Sequence, residues 1–212
     1  YKPIENADHP LDEYETLNNW FLEVADDPAY QFSPQFAIGI SQLPDTGFAP
    51  GVNHDLASQP TEKAYTAYDS FVLEIPSLGL DMPIVGVPMT EDGWDVRWLG
   101  ESAGWLHGTA FPTWAGNTAI TADVWDSNNN PGPFVDLDNL QHGDKVIIHA
   151  WGLRHTYEVR GTEQIRPDDL RALPHSDYDT LTLFTCKDLN EAKEAYEWRL
   201  AVQAVLMKVE TE

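Results

Sequence analysis

A single cysteine, Cys186, stands in 212 residues, so an internal disulfide is excluded and cysteine usage assigns no redox compartment. Cations are scarce too: 12 Lys and Arg against 35 Asp and Glu give a formal net charge of −23 and a pI near 4.3. Binding of phosphate backbones needs clustered Lys and Arg, so nucleic acid is excluded as a partner, and the acidic surface favours solubility. No run approaches the roughly 18 consecutive apolar residues of a membrane span. No Cys/His spacing suits zinc. Asp126 to Gly132 starts like a calcium loop, but its glycine falls one place late and Leu137 occupies the closing glutamate position, so the stretch reads as a turn. No histidine follows His175, which excludes a papain-like order of cysteine then histidine.

What remains is enough for one domain of ordinary size and an extension, with 42% hydrophobic residues. The chain begins at Tyr1 without a methionine, and a membrane anchor is expected to have preceded it. Leu11, Tyr14, Leu17, Phe21 and Val24 recur at helical spacing between Pro10 and Pro28, which predicts an amphipathic helix whose role is packing. From Ala29 to about Ala64 periodicity gives way to Pro, Gly, Ser and Asn, as in an extended connection.

Strand signals follow from near Asp69. Phe71 to Pro76 and Met82 to Val87 predict a hairpin, Trp94 to Leu99 a further strand, and Asn117 to Ala122 another. Pro133 to Leu140 suggests a short helix, Lys145 to Ala150 and Thr156 to Arg160 a second hairpin, and Ile165 to Pro174 a loop with a short helix. Strands at short regular intervals, with helices confined to connections, predict a closed antiparallel barrel. Leu181 to Cys186 alternates Thr with Leu and Phe and ends on the lone thiol, while Trp198 to Val209 is again β-rich and carries Arg199 near its start. A strand and its return bring Cys186 beside Arg199, and a fixed positive charge favours a thiolate. Taken alone, a cysteine at a strand end is most often a small buried hydrophobe.

Thr182-Leu183-Phe184-Thr185-Cys186 followed by Arg199 resembles the signature of sortases, the cysteine transpeptidases of the bacterial cell surface. The hairpin at Phe71 to Val87 and the order of Phe134, Leu137, Leu140, Gly143, Asp144 and Val146 are similar to that family as well. The resemblance runs from about Asp69 to the C-terminus. It implies an all-β fold, a closed sortase-type barrel of about eight strands with short connecting helices at residues 69–212, after a helical and extended N-terminal extension at residues 1–68. It also implies that Cys186 attacks the Thr–Gly carbonyl of an L-P-x-T-G sorting signal on a surface protein or pilin. Arg199 would stabilise the oxyanion, Thr185 and Ala122 would shape the substrate site, and an amine of cell wall or pilin would resolve the thioacyl intermediate. The implied location is the cell surface, with no cofactor and no metal.

One position departs from the family. The strand beginning at Asn117 should end in Gly-His, and here it reads Ala122-Asp123. With an ordinary carboxylate pKa near 3.9, Asp123 would be a poor acid at neutral pH and would raise the Cys186 thiol by repulsion, so the expected activity is impaired. Of the seven histidines, His107 and His149 are the candidates to substitute. The alternative is an inactive sortase-fold module that binds sorting-signal peptides or a cell-surface partner. Finally, Leu43-Pro44-Asp45-Thr46-Gly47 matches the pentapeptide that sortases cleave. It reads as a plain turn, a tethered pseudosubstrate or a self-processing site.

Overall fold

The computed structural model describes residues 42–54, 67–90, 93–170, 173 and 176–212; the helix expected around Leu11 to Val24 lies outside them. Among the described residues no helix is long and apolar enough to cross a membrane. The described residues form ten strands: β1 (Ala67–Ile75), β2 (Leu80–Val87), β3 (Met89–Thr90), β4 (Gly93–Trp94), β5 (Ala103–Leu106), β6 (Gly116–Thr121), β7 (Lys145–Ala150), β8 (Leu153–Ile165), β9 (Asp179–Asn190) and β10 (Ala195–Thr211). Eight of them close a barrel in the order β1-β2-β5-β6-β9-β10-β8-β7, and β3 pairs with β4 alone.

The closed barrel is as expected, but it is not wholly antiparallel: β2 runs parallel to β5 and β6 parallel to β9. Parallel neighbours need long crossovers, and here the β6 to β9 crossover contains the β7–β8 hairpin. The strand expected over Trp94 to Leu99 is also corrected. Only Gly93–Trp94 is extended, because the Asp95 carboxylate accepts from the backbone N–H and guanidinium of Arg97 and from the Trp98 indole, and Leu99 N–H closes a turn onto Val96. The helix expected at Pro133 to Leu140 shrinks to a 3₁₀ turn, Leu137–Asn139.

Period-two alternation sorts the side chains onto two faces. Leu181 and Leu183 of β9, Ile120 of β6 and Leu200 and Val202 of β10 join residues from every strand of the barrel in the inner core. Phe184, Ala119 and Ala201, one residue out of phase, join Val85, Val87, Trp94, Val96, Leu99, Leu106, Ile165 and Leu173 in a second cluster on the outer face. That outer floor is also buried, and part of its cover is Leu43.

Candidate active site

Cys186 is two residues beyond Phe184 and therefore shares its outward phase; Arg199 is two before Ala201 and does the same. Antiparallel pairing sets the two directly opposite each other, Arg199 against Cys186. The expected juxtaposition is present. Asp123 lies just past β6, two residues from Thr121, whose hydroxyl donates to the Phe184 carbonyl at 2.9 Å. Thr185 and Ala122 meet through a 3.2 Å hydrogen bond from the Thr185 hydroxyl to the Ala122 carbonyl, both buried. That bond ties the cysteine strand to the end of β6.

Across this site runs an irregular strap, Leu43 to His54, and its first five residues are the pentapeptide. The Leu43 N–H donates to the Pro167 carbonyl at 2.6 Å, and its side chain, 3% exposed, enters the outer apolar cluster. Arg199 donates through Nε to the Pro44 carbonyl at 2.9 Å, through Nη2 to the Asp45 carboxylate, and through Nη1 to the Trp198 carbonyl at 3.0 Å. The Thr46 N–H donates to the Cys186 sulfur at 3.1 Å and its hydroxyl approaches the same atom at 3.6 Å. Beyond it the strap follows the loop after Asp123: Val124 N–H reaches the Thr46 carbonyl at 3.4 Å, and Phe48 N–H donates to Trp125 at 3.0 Å. Gly47 has φ +125°, and a Cβ there would fall 2.6 Å from Val124 Cγ1. Only glycine fits that position.

Cys186 and Asp123 both depart from their ordinary values. Burial pushes the Cys186 thiol up to about 11, opposed by the charge of Arg199 and the donors of Thr46. The rise was expected, but its cause is dehydration under the strap, and the carboxylate that adds to it is Asp45. Asp123 is far from the ordinary carboxyl assumed for it: 2% exposed and facing Asp126 and Glu101, it is pushed up to about 7, mainly by burial.

The two substitute histidines make contacts elsewhere. His149 on β7 is held between Glu74, 2.8 Å from Nε2, and Glu212. His107 stacks near Trp105 and accepts the Trp94 indole N–H on its carbonyl. No described histidine hydrogen-bonds Cys186, Asp123 or Arg199. The calcium-like stretch is a turn, with the Asp126 carboxylate accepting from the N–H groups of Asn128 and Asn130 at 2.9 and 2.7 Å.

Tyr196 was missed. Its hydroxyl donates to the Phe48 carbonyl at 3.1 Å, and its pKa is pushed up to about 12, by burial first and then by the charges of Cys186 and Asp123. It belongs to the same β-rich run as Arg199, and starting that strand at Trp198 instead of Ala195 left it out.

Similar folds are known. Sortase C-3 from Streptococcus pneumoniae superposes with a TM-score of 0.59 at 20% identity, over 92% of this chain and 83% of that one. The lid mutant of sortase A from Corynebacterium diphtheriae gives 0.57 at 23% identity, over 71% and 75%. Sortase C-1 from Actinomyces oris gives 0.54 at 25% identity, over 65% and 73%. No curated protein sequence matches the chain. The sortase domain model matches residues 73–207, which include both Cys186 and Arg199. With its barrel, its paired thiol and guanidinium, and that match, the chain belongs to the sortase family of cysteine transpeptidases.

Proposed function

We propose that the enzyme acts on L-P-x-T-G-like sorting signals of surface proteins or pilins and that Leu43-Pro44-Asp45-Thr46-Gly47 is its tethered pseudosubstrate. One observation carries this reading: the pentapeptide is seated along the site residue by residue. Leu43 fills an apolar pocket, the Pro44 carbonyl faces Arg199, Thr46 meets the sulfur and Gly47 lies where a Cβ has no room. Those are the four invariant positions of the signal. In this seating the strap is inhibitory and escapes cleavage. The sulfur receives the Thr46 amide N–H, and the Thr46 carbonyl is held by Val124 while Arg199 is occupied by Pro44 and Asp45.

With an added signal in place of the strap, Cys186 attacks the threonine carbonyl, Arg199 stabilises the oxyanion, and a cell-wall or pilin amine resolves the thioacyl enzyme. Residues 69–212 form this catalytic domain, and residues 1–68 the extension that supplies the strap. Sortases work at the cell surface, and the same location fits this one. Its activity on added peptide at neutral pH is low, because the groove is filled and the thiol is protonated up to about 11. That protonated thiol also favours the second reading, a module that binds sorting signals without cleaving them.

The test is incubation with a labelled Leu-Pro-Asp-Thr-Gly peptide followed by mass spectrometry, on the native chain and on Leu43→Ala/Pro44→Ala. A thioacyl adduct on Cys186 that rises when the strap is weakened is expected. Peptide binding without an adduct, even with Asp123→His added, leaves the binding module.

A further inference from the structure

Given the transpeptidase reading, on which this rests, breaking an amide with a thiol requires a group that accepts the S–H proton and returns one to the departing nitrogen. Asp123 is held between the reacting partners. On one side, the Ala122 carbonyl is bonded to Thr185, the residue before the cysteine; on the other, Val124 N–H is bonded to the Thr46 carbonyl. Its own backbone is clamped. Phe134 N–H donates to the Asp123 carbonyl at 3.0 Å, and Gly132 passes so close that a Cβ would fall 2.3 Å from that oxygen.

The side chain is 2% exposed and its Oδ1 has no hydrogen-bond partner. A carboxylate left so is costly, and a carboxylic acid much less so. The charged groups that act on it are Asp126 from its own loop and Glu101 from the turn before β5, and the Tyr196 hydroxyl of β10 lies within reach of both its charge and that of Cys186. None is a cation, so burial and charge act together and bring this carboxyl up to about 7. The alternatives are unsuited to proton transfer near neutrality: Tyr196 lies at about 12, and a guanidinium does not release its proton in proteins.

We propose that Asp123 is the proton carrier of this transpeptidase, a buried carboxyl that alternates between carboxylate and neutral acid during the two steps. As the Cys186 sulfur bonds to the threonine carbonyl carbon, the Asp123 carboxylate takes the S–H proton. When the tetrahedral adduct collapses, the C–N bond breaks, that proton passes to the departing glycine nitrogen, and Asp123 is again a carboxylate. The incoming amine gives a proton to Asp123 as it attacks the thioester, the C–S bond breaks, and the proton returns to the sulfur.

The experiment measures thioacyl formation with saturating labelled peptide from about pH 5 to about pH 9 in Leu43→Ala/Pro44→Ala, alone and with Asp123→Asn or Asp123→His. Asp123→Asn is expected to lower the rate by a factor on the order of 10²–10⁴ and to abolish a rising limb centred near 7, and Asp123→His to recover the rate. Carboxyl ¹³C NMR of the native chain reads the Asp123 midpoint directly, independently of turnover. Equal rates for Asp123→Asn and its parent, or an Asp123 midpoint near the ordinary 3.9, overturn the carrier and leave the transpeptidase standing. No adduct from any form, Asp123→His included, overturns the transpeptidase and the carrier with it.

Discussion

The wall that carries Cys186 and Arg199 and the strap that covers them are held by different kinds of force. Eight consecutive register pairs between β9 and β10, from Trp198 against Lys187 to Val205 against Thr180, fix the thiol and the guanidinium through a cooperative ladder with a core on each face. The strap has no strand partner. It is held by the buried side chains of Leu43, Thr46 and Ala49, by a few backbone hydrogen bonds, by the donors of Arg199 and the Tyr196 hydroxyl, and by the contacts of Thr46 with the Cys186 sulfur. Segments with so few contacts open at much lower free energy than the sheet beneath them. The site is therefore rigid in its floor and releasable in its cover, and substitutions should separate the two.

Arg199→Ala, made in the strap-weakened background, should have the largest effect. Losing a fixed donor at a developing oxyanion costs a factor on the order of 10²–10³ in acylation, and peptide-adduct kinetics would register it. Near-normal acylation would reassign Arg199 to holding Pro44 and Asp45. Since Arg199 is 2% exposed, its removal also leaves the Pro44 carbonyl without that donor.

Gly47→Ala tests the cover alone. Its Cβ would meet Val124 Cγ1 at 2.6 Å and its backbone sits at φ +125°, so seating the strap becomes unfavourable by about 1–3 kcal/mol. Alkylation of Cys186 should rise roughly 10- to 100-fold, since 1.4 kcal/mol is a factor of ten, and the thiol pKa should fall from about 11 as water enters. The melting temperature of the barrel should stay within about 2 °C. An unchanged alkylation rate would mean that the strap leaves its seat only when the wall itself opens.

The legibility of the chain followed the same division. Cys186 and Arg199 could be read because alternation and one hairpin return suffice to set them opposite. Asp123 could be placed at the end of its strand, but its titration could not, because that depends on the Gly132 to Phe134 loop, Glu101 and the strap, three separate parts of the chain that close over it. The two parallel pairs were hidden for a similar reason: β2 and β5 read as strands whichever way their neighbours run. The pentapeptide was visible as a string, and its placement depended on the outer apolar floor, which single strands reveal only as unexpectedly apolar outward positions such as Phe184 and Ala201.

The smallest effect contrasts two buried carboxyls, Asp123 beneath the strap and Asp179 in the wall, where the Tyr157 hydroxyl donates to it at 2.8 Å. Both are pushed up to about 7, by burial first. An unfolded chain ionises such groups near 3.9, so between about pH 4 and about pH 7 the unfolded state releases protons that the folded state keeps. Their contribution is thus most favourable below about pH 4 and is lost as pH rises through about 7, on the order of 4 kcal/mol for each carboxyl that stays dry. Asp123→Asn and Asp179→Asn should each flatten the fall of melting temperature with pH, by about 5–10 °C at pH 8. Weakening the strap with Leu43→Ala/Pro44→Ala lets water reach Asp123 but not Asp179. In that background the Asp123→Asn gain should shrink to about half or less while the Asp179→Asn gain persists. If both gains survive intact, the strap is not what keeps Asp123 dry, and its cover is the loop from Val124 to Phe134 alone.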